Sequence, residues 1–160
     1  MDRHEALVPV ASGSAYRVAS APRCALVTPG LAAELGLVLE RFAREAGFNA
    51  GRPVALHFKP GVVGHHKVGR AADLCAAGGV GLDTWKRRWD EALARGVGAE
   101  ERVRNLGWRL YKALQCYGRW AQPQGFPIQL FGPWTRSEGP WRRISYGLLR
   151  AHRDHIHVAL

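Results

Sequence analysis

Four residues in two distant stretches have the types and spacing of a hydrolytic metal site. The chain ends Asp154-His155-Ile156-His157-Val158-Ala159-Leu160, and far upstream it carries His66-Lys67-Val68-Gly69-Arg70-Ala71-Ala72-Asp73. Imidazole nitrogen and carboxylate oxygen both suit zinc, whose sites are tetrahedral, and three protein ligands leave the remaining position to water. Zinc lowers the pKa of such a water to about 7 and polarises a carbonyl, so the chemistry open to this set is metal-assisted hydrolysis. Five of the seven histidines, His65, His66, His152, His155 and His157, fall in the two patches.

These side chains need elements to hold them. In an extended strand residues i and i+2 share a face, so a strand at the tail points His155 and His157 the same way. Ile156, Val158 and Leu160 then take the opposite, buried face, which predicts a half-buried strand. Val54 to Phe58 reads as a strand, Pro60-Gly61 turns the chain into the first histidine patch, and Gly69 argues against a helix through it. Ala71 to Cys75 returns as a strand, setting Asp73 on a sheet face with His66 on the loop before it. Cys75 shares that face and either reaches the metal or is buried as a small apolar residue.

Helices account for much of the rest. Thr28-Pro29 supplies a cap and a first-turn proline, and Leu31, Leu35, Val38, Leu39 and Phe42 form one apolar stripe ending near Gly47. A second helix is predicted from an Asp83 cap through Leu93, broken by Gly96 and Gly98. A third runs from about Ala99 to Tyr117, with Val103, Leu106, Leu110, Ala113, Leu114 and Tyr117 on its stripe. Residues 1–27 read as an arm with one or two short strands, and Ile128 to Phe131 as another. The aromatics around it, Trp120, Phe126, Phe131, Trp134 and Trp141, either line a groove or fill a satellite core under a long loop.

At 160 residues and 47% hydrophobic content the chain fits a single globular domain, residues 1–160, with a core of its own. Cys24, Cys75 and Cys116 are odd in number and widely spaced, which indicates reduced thiols rather than a disulfide framework or a cysteine zinc site. The first residues lack the apolar stretch of a signal peptide, and no run is long enough to cross a bilayer, so the expectation is a soluble protein without a membrane span. A formal net charge of +10 favours a polyanionic neighbour, whether nucleic acid, an anionic surface or a bacterial wall. Trp85-Lys86-Arg87-Arg88-Trp89 mixes bases and aromatics as a nucleic-acid surface does, but on a helix the two tryptophans lie four apart and face the core.

His66 to Asp73 has the form His-x-x-Gly-x-Ala-x-Asp, and with the late His-x-His it resembles the zinc peptidases of bacterial cell walls. These are the D-alanyl-D-alanine carboxypeptidase and L-alanyl-D-glutamate endopeptidase family, with the related murein endopeptidases, whose metal-site fold is shared with hedgehog domains. The resemblance implies an α+β fold, with a small, mostly antiparallel sheet carrying the metal site and helices packed against it. It implies a single Zn2+ held by His66, Asp73 and His157, a peptidoglycan peptide as substrate and action at the cell wall. A family histidine five positions before the last ligand falls on His152, and an acidic residue three before it falls on Asp154, so markers of both branches are present. Asp154, His152 and His155 are the candidate bases that would move a proton from water to the departing amine. For Asp154 this requires a place on the turn entering the strand.

The family serine is Gly64 here, and its substrate-side arginine has no clear match, with Arg52 and Lys59 as candidates. A hedgehog-like module that binds zinc and wall without hydrolysis is the alternative, and a basic nucleic-acid-binding protein is a third reading. His65 reads as a loop neighbour, and His57 and His4 as ordinary histidines.

Overall fold

The structure, a computed structural model, describes residues 8–9, 16–18, 26–46, 54–57, 70–121, 129–135 and 150–159. Among its described residues, the first part of the chain contributes three short strands where one or two are expected. β1 (Val8–Pro9) pairs antiparallel with β3 (Leu26–Val27), while β2 (Tyr16–Val18) joins the main sheet, parallel to β4 (Val54–His57). The other pairings of that sheet are antiparallel and involve β5 (Ala71–Ala77), β6 (Val80–Gly81), β7 (Gln129–Phe131) and β8 (Ile156–Ala159). Its order is β2-β4-β5-β8-β7, with β6 folded back on β5. Gly78 and Gly79, with φ of 62° and 77°, make the two-residue turn between β5 and β6, where positive φ at both positions matches the twist of a tight hairpin.

The sheet separates two sets of side chains. Ala72, Leu74, Leu130, Ile156 and Val158 belong to the main core cluster, together with Leu31, Leu35 and Leu39 of α1 (Pro29–Ala46). The same cluster takes in Leu82, Trp85 and Trp89 of α2 (Leu82–Ala94) and Leu110, Tyr111 and Leu114 of α4 (Leu106–Ala121). The alternate residues, Ala71, Asp73, Phe131, His157 and Ala159, are buried as well but stand outside that cluster. The fold is therefore α+β, with helices packed on one face of a mostly antiparallel sheet. β8, lying between β5 and β7, is buried at every position from Ile156 to Ala159 instead of only on one side. An interior strand of a covered sheet has no solvent face, which the alternation of its sequence does not reveal.

The α1 start follows the sequence, with the Leu31 backbone N–H donating to Thr28 Oγ1 at 3.3 Å. α2 starts one residue before Asp83, from a Gly81 cap in extended conformation, and Asp83 lies in its first turn without capping it. The predicted third helix is two helices. α3 (Gly98–Arg104) ends at Asn105, whose ψ of 100° breaks the run, and α4 begins at the next residue. Asn105 is fully buried and satisfied: its Nδ2 donates to the Trp85 carbonyl at 2.8 Å and to Glu101 Oε1 at 2.7 Å, and its Oδ1 accepts from the Trp108 N–H at 2.9 Å. The break rotates α3 off the stripe, leaving Val103 71% exposed instead of in the core. Gly98 opens α3 rather than ending α2, and Gly96, with φ of 74°, makes the turn. Trp85 and Trp89 face the core as their spacing predicts. Among the described residues no helix is long and apolar enough to cross a membrane.

Candidate metal centre

One cross-strand row builds the centre of the sheet's second face. Asp73 on β5 registers opposite His157 on β8, and His157 opposite Phe131 on β7. On the other side of Asp73 the backbone of β4 places His57 in register with it. The β4–β5 ladder shifts one step before this row: Ala55 pairs with Ala76 but Leu56 with Leu74, so Cys75 is the extra residue of a bulge. The bulge reverses the alternation of β5, which is why Leu74 and Ala77 both reach the core. Cys75 is half-buried, with its Sγ 3.9 Å from the Asp73 carbonyl.

Asp73 is 1% exposed, and burying a carboxylate this far is tolerable only with polar partners. Its Oδ1 lies 3.2 Å from Nδ1 of His157, a contact across 84 positions of sequence, and 3.7 Å from Nε2 of His155. The other nitrogen of His155, Nδ1, lies 2.7 Å from Asp154 Oδ1. His155 thus stands between two carboxylates, one buried and one 75% exposed. It precedes β8 instead of lying in it, yet still faces Asp73; Asp154 sits on the turn entering the strand. The His152 ring is 4.8 Å from that of His155 and 5.4 Å from that of His157. Phe131 packs parallel to His157, with centroids 5.7 Å apart and 13° between planes.

Five of the six predicted site residues, Asp73, His152, Asp154, His155 and His157, accordingly belong to one cluster. The sixth, His66, lies outside the described residues, as do His65, Gly64, Arg52 and Lys59. Two donors bound to one tetrahedral zinc at about 2.0–2.1 Å are about 3.3 Å apart, so Asp73 Oδ1 and His157 Nδ1 have the spacing of a shared metal as well as of a hydrogen bond. Among the described residues no group of three His, Cys, Asp or Glu side chains is arranged to hold a metal.

Two features of the site lie beyond what the motifs indicated. His57 reads as ordinary in the sequence, and strand register brings its backbone opposite Asp73. Phe131 reads in the sequence as an aromatic closing a short strand, with no sign of its pairing with His157, and the turn after it is latched to α4. The Gly132 N–H donates to Thr135 Oγ1 at 2.9 Å, the Thr135 N–H donates to the Gly132 carbonyl at 3.0 Å, and the Tyr111 hydroxyl lies 2.9 Å from the same Thr135 Oγ1. Burial pushes the Tyr111 hydroxyl pKa up, partly offset by this hydrogen bond. Trp134, in the same turn, packs into the core cluster with Trp108 and Tyr111, so this aromatic fills core.

No family model, curated protein or solved structure matches the chain.

Proposed function

We propose that the chain is a zinc-dependent peptidase acting on amide bonds of peptidoglycan peptides, with His66, Asp73 and His157 holding a single zinc on a hedgehog-type sheet. The observation that carries this reading is the meeting of Asp73 and His157 at 3.2 Å in a buried site, where a His-x-x-Gly-x-Ala-x-Asp motif and a terminal His-x-His each contribute one of the pair. When bound, zinc supplies an acidified water and a polarised carbonyl. His155, held between Asp154 and Asp73, orients groups at the edge of the site. Asp154, with His152 and His155 as the other candidates, would accept a proton and return it to the departing amine. The net charge of +10 supports approach to an anionic wall.

Metal analysis of protein purified without chelator tests the metal, with about one zinc per chain expected in the parent and none in His66→Ala. Amine release from purified peptidoglycan tests the reaction, with Asp154→Asn and His152→Ala compared separately. The second reading, a zinc-binding module without hydrolysis, draws on Gly64 in place of the family serine. Stoichiometric zinc with no amine release from the parent would favour it.

A further inference from the structure

Phe131 touches two imidazoles of the cluster in two different ways. Its ring lies parallel to His157 and edge-on to His152, the latter at 5.5 Å and 61°. Those two imidazoles are themselves 74° apart. An aliphatic side chain would fill the same space, but it would not define a plane. A plane matters because the torsion that turns an imidazole about its Cβ–Cγ bond is broad, and the backbone does not fix it. The placement of Nδ1 of His157 against Asp73 depends on that torsion. The position of Phe131 is itself constrained: it is 8% exposed, it ends β7 in register with His157, and the Gly132–Thr135 turn that follows is tied to Tyr111 on α4.

We propose that Phe131 is a positioning residue that sets the ring plane of His157, so that Nδ1 meets Asp73, and holds His152 across it. The proposal rests on the reading of Asp73 and His157 as the functional pair. It assigns Phe131 no contact with substrate.

The test compares Phe131→Leu, which keeps an apolar side chain, with Phe131→Tyr, which keeps the ring. In metal-free protein the nitrogen-15 shifts of His157 report which ring nitrogen carries the hydrogen that faces Asp73. The parent and Phe131→Tyr are expected to show one fixed tautomer, and Phe131→Leu averaged shifts with an unchanged far-ultraviolet spectrum. Zinc affinity by chelator competition is expected to fall about tenfold in Phe131→Leu, as for loss of a group that orients a ligand, and to hold in Phe131→Tyr. If Phe131→Leu does not fold, Phe131→Met carries the same comparison with a longer side chain. A folded Leu or Met variant with the parent's tautomer would overturn the proposal, and so would a Tyr variant that loses it. A parent that binds no zinc but shows a fixed tautomer lost in Phe131→Leu would sink the zinc reading and leave this one standing.

Discussion

Asp73 joins the two halves of the cluster, since its Oδ1 is the atom that both His155 and His157 approach. The His157 contact is the shorter and the more buried, and breaking a buried hydrogen bond while leaving one partner in place costs about 1–3 kcal/mol. Metal-free His157→Ala is therefore expected to lose about that much stability in urea unfolding, and His155→Ala clearly less. Equal losses would show that the 3.2 Å contact has no special weight. Asp73, Asp154 and the late histidines were legible in the sequence because residue type and local spacing mark them. Phe131 is marked in the sequence as the end of a short strand, but its place beside His157, like that of the His57 backbone beside Asp73, is not, because both run through strand register, which depends on distant pairing and on the bulge at Cys75.

Two contacts between elements hold the region beneath the site, and each can be tested alone. Gly107 lies where α4 meets α2 and the β7 turn: a Cβ there would come within 2.7 Å of Trp134 Cη2 and of Trp85 Cβ. Overpacking of this kind costs about 1–3 kcal/mol, so Gly107→Ala should lower the urea midpoint even though alanine favours helix. Tyr111 ties α4 to the turn after β7 through Thr135. Its raised pKa means that the fold holds the phenolic proton more tightly than the unfolded chain, whose tyrosine titrates near its ordinary value of 10.0. The stability linked to that difference is fully present below 10.0 and is lost as pH rises from there through the higher folded value. Tyr111→Phe should lose about 1 kcal/mol at neutral pH, for the missing hydrogen bond, and show a shallower decline in alkaline unfolding curves. The α3–α4 break beside these contacts was not legible: Asn105 reads as an ordinary helical position until Trp85 and Glu101 are brought to it.

The molecule as a whole is organised around its last strand. Among the described residues, Ile156 and Val158 anchor β8 in the helix-packed core, His157 supplies the other face, and β8 joins β5 to β7 in the strand order. The sequence showed this tail as an apolar-polar alternation and so identified a strand, but alternation says nothing of how many neighbours a strand has. With two neighbours, the tail has a structural role of its own beside the chemistry proposed for it. Deleting residues 156–160 removes two fully buried aliphatic side chains, each worth about 1.5–3 kcal/mol, and both ladders of β8. That sum reaches the lower part of the roughly 5–15 kcal/mol that stabilises a typical domain. The truncated chain is therefore expected to lose cooperative thermal unfolding altogether, whereas His157→Ala keeps a sharp transition at lower temperature. A truncated chain that still unfolded cooperatively would mean that β5 and β7 hold their places without β8, and would leave the tail only the chemistry proposed for His155 and His157.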